Sequence, residues 1–182
     1  MGGHPKLAVA VGPHDHALGA SGAPLTLVQY GDYACPYTRR ASANVALAQR
    51  KLGKRVRYVF RHFPREALNP ESVLLAEAAH AAGAQGRFWE MHQRLLDDDE
   101  GLDGVAAHAE VLGLDVGRLL SELQARTWRA QVAEELEGGL RSGVSSTPTF
   151  FVNGTRHVGS WEPMALCRAL GGAPALARSA HL

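Results

Sequence analysis

The sequence predicts an α/β fold with an all-helical insertion, and three observations carry that prediction. Residues 25–30 and 55–63 are β-prone runs separated by a helical pattern, the order of a β-α-β unit. From residue 71 to about 143 there is no strand signal, only amphipathic stretches rich in Ala, Leu, Glu and Arg. Two further β-prone segments flank Asn153-Gly154, and a last helical stretch closes the organised part of the chain.

At 182 residues the chain has the length of one medium domain. Its 46% hydrophobic and 20% charged residues are ordinary for a globular domain and exclude a disordered, collagenous or coiled-coil chain. Nineteen Lys and Arg against 18 Asp and Glu leave a net charge of +1, too balanced to hold a polyanion by counterion release, so no nucleic-acid partner is expected. The longest apolar run near the start, residues 7–11, is too short for a signal core or a membrane span; no membrane partner is expected, and the expected compartment is the cytoplasm.

Taken in order, residues 1–24 form an N-terminal extension in which 7–11 are expected to make a short edge strand. The run at 25–30 is apolar without alternation and ends at Gly31, which suits a strand covered on both faces of a parallel sheet. From Cys35 the pattern turns helical, with Ala41, Val45, Ala48 and Leu52 on one face and Gly53 as the stop. In 55–63, Val56, Tyr58 and Phe60 alternate with Arg57, Val59 and Arg61, and Pro64 ends the strand. Helices are expected at 73–82, 88–96, 105–112, 116–123 and 128–140. Strands follow at 148–152 and 155–158 across the Asn-Gly turn, then a helix at 161–170. The domain plan is therefore 25–64 with 144–172 around a helical insertion at 65–143, and a frayed tail at 173–182. This is the element order of a thioredoxin-like fold with an all-helical insertion.

Two cysteines are present, Cys35 and Cys167, which excludes a disulfide scaffold and a clustered zinc site. Cys35 follows the first organised strand and opens the first long helix, with Pro36 in the first turn, where a missing N–H costs nothing. Free N–H groups and the positive helix end favour thiolate over thiol there, and the thiolate is the species that attacks disulfides. Cys167 lies with Met164 and Leu170 at helical spacing, the pattern of a core residue. His14-Asp15-His16 reads as a polar loop, His62 and His92 as packing residues, and residues 97–100 as a solvated acidic turn; no metal site is expected.

Four motifs, residues 30–37 (YGDYACPY), 58–64 (YVFRHFP), 86–92 (GRFWEMH) and 146–154 (STPTFFVNG), resemble the DsbA-like branch of the thioredoxin superfamily, over about residues 25–161. The resemblance implies that 65–143 is that family's helical insertion and that Cys35 is the exposed nucleophile. It also implies that Pro148 is a cis-proline facing Cys35, and that Thr147 holds an extended substrate through its backbone, with Pro36 and Tyr37 beside it. Two departures stand out. The family's Cys-x-x-Cys is here Cys35-Pro36-Tyr37-Thr38, and Thr38 cannot close a disulfide. The acid that often lies six positions before the nucleophile is here Gln29. Thr38 is instead expected to donate a hydroxyl hydrogen bond to the Cys35 thiolate.

The expected function is thus single-thiol exchange: Cys35 forms a mixed disulfide with a disulfide-containing or glutathionylated protein or peptide. Glutathione or another small thiol then releases it, with no bound cofactor. The outcome is reduction, isomerisation or deglutathionylation. A catalytically silent peptide-binding module and a thiol peroxidase passing through a Cys35 sulfenic acid are the alternatives.

Overall fold

The computed structural model describes residues 4–97 and 99–171. The expected tail at 173–182 lies outside them. Strand β1 is His16–Leu18, β2 Leu25–Gly31, β3 Val56–His62, β4 Thr149–Val152 and β5 Thr155–Arg156. Helix α1 is Pro36–Leu52, α2 Ser72–Ala84, α3 Phe88–Asp97, α4 Val105–Val111, α5 Val116–Gln124, α6 Arg129–Arg141 and α7 Pro163–Ala169. The five strands form one sheet in the order β1-β3-β2-β4-β5. β2 and β3 run parallel, as a crossover through α1 requires, and the remaining pairs are antiparallel.

Both central strands are buried on both faces, which is why their apolar residues do not alternate cleanly with polar ones. One face packs Leu27, Tyr58 and Phe60 against α1, α7 and the helices of the insertion. The other gathers Val28, Tyr30, Val59, Phe63, Val144 and Phe151 into a second, smaller cluster. Each large side chain so buried contributes about 1.5–3 kcal/mol relative to exposure. The β4–β5 turn places Asn153 at φ 48° and Gly154 at φ 79°, the paired positive angles that an Asn-Gly hairpin turn demands.

The edge strand is not at 7–11, as the apolar run suggested, but at His16–Leu18, antiparallel to β3. The Leu7–Val11 stretch lies elsewhere: Leu7 N donates to Gly154 O (2.9 Å), Ala8 N donates to Ser142 Oγ (2.9 Å), and Leu7 and Val11 cover the smaller cluster. Of the polar His14-Asp15-His16 segment, His14 is exposed, whereas Asp15 is half-buried and His16 opens β1. Asp15 accepts from Arg61 Nε at 2.7 Å and Nη2 at 2.9 Å, a paired charge that lets Arg61 of β3 be buried.

Candidate functional site

Cys35 is the residue before α1, in extended backbone, with Pro36 opening the helix. The turn ahead of it is closed by Cys35 N donating to Asp32 O at 3.0 Å. Asp32, buried, ties this turn to its surroundings: its carboxylate accepts from Ala34 N (3.0 Å), Arg65 N (2.9 Å) and Ser72 Oγ (3.0 Å). Arg39 Nε donates to Tyr33 O at 3.0 Å and braces the same turn from α1. The sulfur is thus presented by a loop that is pinned at its backbone and open at its tip.

The Thr147–Pro148 peptide bond is cis, and the chain there faces the nucleophile, with the Cys35 thiol donating to Thr147 O at 3.4 Å. Cys35 and Thr147 line one cavity of about 440 Å³ together with Pro36, Tyr37, Arg65 and Leu68. Tyr37 is 60% exposed and Leu68 71%, so apolar surface is offered at the rim where an extended peptide would lie. Thr147 Oγ1 is buried without a hydrogen-bond partner.

Of the residues singled out from the sequence, Cys35, Pro36, Tyr37 and Thr147 therefore share this cleft, with Pro148 joined to it through Thr147. Thr38 is fully buried and its hydroxyl accepts from Asp32 N at 3.3 Å; this contact to the turn stands where a bond to the Cys35 sulfur was expected. Gln29 is fully buried in β2, where its side-chain oxygen accepts from Tyr58 Oη at 2.8 Å and its amide nitrogen has no partner. Cys167, on α7, is 3% exposed, with its sulfur 4.0 Å from Ala48 O. Ala48 is about 20 Å further along α1 than Cys35 at 1.5 Å per residue, so the two sulfurs cannot meet. Both cysteines are free, and burial pushes the Cys167 thiol up.

Behind the Cys35 turn the structure assembles a polar cluster that no spacing in the sequence announced. Glu135 of α6 accepts from His62 N and lies 2.7 Å from His62 Nδ1 and 3.2 Å from His80 Nε2. His62 Nε2 is 3.3 Å from Tyr33 Oη, which is 2.9 Å from His92 Nδ1, and His80 Nδ1 is 3.3 Å from His16 Nε2. His62 is not merely a packing residue. Burial pushes His16 down to about 4 and His92 down to about 3, so these two rings are neutral at pH 7, and it pushes His62 below the ordinary histidine value against the opposing pull of Glu135. Burial alone would raise Glu135, but its close contacts with His62 and His80 outweigh it and hold the carboxyl below its usual range.

Comparison with known proteins places this geometry. Residues 12–170 match the family model described as Thioredoxin. The chain is 31% identical to a thioredoxin-like oxidoreductase from Silicibacter pomeroyi DSS-3, with a TM-score of 0.78 over 88% of this chain and 92% of that one. It shares its fold with alpha-DsbA1 of Wolbachia pipientis, at 18% identity and a TM-score of 0.75, over 87% of this chain and 90% of that one. It is also 43% identical over 167 residues to a protein named Na(+)/H(+) antiporter NhaA 1 of Salinispora arenicola (strain CNS-205), a match that covers 90% of this chain and 26% of that protein. The chain thus spans about a quarter of the length of the curated relatives it matches, and no helix among the described residues is long and apolar enough to cross a membrane. With residues 12–170 matched by the Thioredoxin model and 31% identity across most of both chains to a thioredoxin-like oxidoreductase, the chain belongs to the thioredoxin family.

Proposed function

We propose that this chain is a thiol–disulfide oxidoreductase that works through one sulfur. The Cys35 thiolate attacks a disulfide in an extended peptide held along Thr147; one S–S bond forms, one breaks, and the displaced substrate sulfur leaves as a thiolate. A second thiol, of the glutathione class, then attacks the mixed disulfide, regenerates Cys35 and carries the oxidising equivalents away as a new disulfide. With a glutathionylated protein as substrate the products are the free protein thiol and glutathione disulfide. The observation that carries the reading is the placement of the Cys35 sulfur 3.4 Å from Thr147 O in an open cleft, with Thr38 where a second cysteine would resolve it. Dependence on an abundant external thiol fits a reducing compartment, and the cytoplasm is the one proposed. The antiporter name borne by longer relatives describes proteins of which this chain matches about a quarter, and cation transport is not proposed for it.

The test is turnover of a glutathionylated peptide with glutathione and a coupled reductase, with the Cys35 adduct trapped and weighed. A Cys35–substrate adduct that glutathione discharges is the expected result. If no adduct forms while the peptide still binds, the noncatalytic peptide-binding reading, which the exposed Tyr37 and Leu68 favour, replaces this one.

A further inference from the structure

His62 of β3, His80 of α2 and Glu135 of α6 each bring one ligand atom to a common point, all within 4.8 Å of one another. We propose that these three residues form a divalent-cation site of the zinc class, with two imidazole nitrogens and one carboxylate as ligands and a fourth position open to the adjoining cavity.

Five observations converge on it. The donor set is the mixed nitrogen and oxygen set that zinc takes when it keeps an open position. Around a tetrahedral ion with bonds of about 2.0–2.1 Å, ligand atoms sit about 3.3 Å apart; His62 Nδ1 lies 2.7 Å from Glu135 Oε2 and His80 Nε2 3.2 Å from Glu135 Oε1, and the three-residue set, within 4.8 Å, draws together to meet one ion. Each imidazole is already held by its other nitrogen, His80 Nδ1 by His16 Nε2 and His62 Nε2 by Tyr33 Oη, both at 3.3 Å, the outer support that orients metal-binding histidines. His80 Nε2 is buried and makes no hydrogen bond although it faces Glu135 Oε1, an arrangement that a cation between them would satisfy. Finally, a cavity of about 530 Å³ lined by His16, His80, Trp128 and Glu135 supplies an entry path and room for a water on the fourth position.

Binding transfers no electrons. To ligate, His62 presents its Nδ1 lone pair and carries its proton on Nε2, donated to Tyr33 Oη; any proton on Nδ1 is released as the cation enters. Tyr33 is two residues from Cys35, which sets the site against the back of the reactive loop. The bland alternative is a hydrogen-bonded cluster that only packs the insertion against the sheet.

The full-length chain, stripped with chelator and with Cys35 blocked by iodoacetamide, is titrated with Zn²⁺ by calorimetry and with Co²⁺ by visible absorption. One equivalent should bind, with the intense absorption of four-coordinate Co²⁺. Emission from Trp128, which stacks on His80 at 5.9 Å between ring centroids, should be quenched by Co²⁺, and the quench should be lost in Trp128→Phe. Glu135→Gln, checked for fold by circular dichroism, should lose stoichiometric binding. His16→Gln, which removes the outer support of His80 together with the His16–Phe88 stack and is likewise checked for fold, should weaken Co²⁺ binding by about 10- to 100-fold. Absence of one-equivalent binding in the wild type, or a folded Glu135→Gln that binds as tightly, overturns the site. If Glu135→Gln does not fold, the His16→Gln titration decides in its place: unchanged affinity there overturns the proposal and a loss within the stated range supports it.

Discussion

Cys35 and Cys167 carry the same functional group, yet the fold treats them in opposite ways. Cys35 ends a pinned turn at the start of α1, half-buried, with its sulfur aimed at a substrate-facing carbonyl. Cys167 lies in mid-helix on α7, enclosed by the core and pressed against the backbone of Ala48. Reactivity here is a property of address: the end of a helix supplies free N–H groups and access, and the middle of a packed helix supplies neither. The largest effect expected from breaking this contrast is that Cys35→Ser abolishes mixed-disulfide formation outright, whereas Cys167→Ala leaves it at the wild-type level. Intact-mass measurement after incubation with glutathione disulfide distinguishes the two.

The same contrast should appear as a rate. In the folded chain Cys167 can react only through local opening, and with each 1.4 kcal/mol of opening worth tenfold it should be alkylated about 10³-fold or more slower than Cys35. In denaturant the difference should collapse. A Cys167 that reacts within tenfold of Cys35 in the folded state would show that α7 opens readily and would reopen a resolving role for it.

A resolving sulfur can also be installed where the fold would use one. Thr38→Cys places a thiol one helical turn from Cys35, within disulfide reach, and should give a reversible bridge between Cys35 and the introduced sulfur that oxidises a reduced peptide. Gln29 beneath it offers no base, so removal of the second thiol's proton should limit exchange near neutral pH. Adding Gln29→Glu should speed that step by about 10²-fold, and the pair should be measured as a cycle because the two residues act as a unit. Stopped-flow oxidation of the peptide gives the rate. An unchanged rate in the double variant would mean that proton removal is already served by another group.

Much of this contrast is legible in the sequence, and the illegible part has a common cause. The strands at 25–30 and 55–63, the helix from Cys35, the insertion and the Asn153-Gly154 turn are local signals: periodicity, a stop, a turn dipeptide. The Cys35–Thr147 cleft is reached through motifs, since it joins residues far apart in the chain. What escapes is held by contacts between elements. The edge strand lies at His16–Leu18 instead of 7–11 because the Asp15–Arg61 pair fixes the neighbouring backbone, which no run of apolar residues encodes. Thr38 turns towards Asp32 N because the turn must satisfy that donor, and residue type does not specify orientation. His16, His62, His80, His92 and Glu135 come from five elements and share no spacing, so only the fold brings them together.

A smaller effect tests how tightly the reactive turn is seated. A Cβ on Gly31 would stand 2.6 Å from Phe60 Cε2 and 2.8 Å from Thr38 Cγ2, so Gly31→Ala must push back the Phe60 ring, the Thr38 side chain or both. The expected cost is about 1–3 kcal/mol of stability by denaturant unfolding. If Thr38 is the residue that yields, its contact to Asp32 N is lost and Cys35 exchange should slow as well. A loss of stability with unchanged exchange would assign the displacement to the Phe60 ring.

The smallest effect concerns Cys167 itself. Replacing its thiol by a hydroxyl keeps the shape of the side chain but shortens the reach towards Ala48 O, already 4.0 Å from the sulfur. Cys167→Ser therefore buries a stronger hydrogen-bonding group that its site cannot satisfy, at about 1–3 kcal/mol, while Cys167→Ala leaves a small apolar gap at about 1 kcal/mol. The order matters more than either value: a core thiol acting as a small hydrophobe should tolerate alanine better than serine, and a redox thiol would show no such preference. Thermal unfolding of both variants gives the order, and glutathione turnover should match wild type in each. Serine proving the milder change, together with slowed turnover, would make Cys167 part of the chemistry and dissolve the distinction between the two sulfurs.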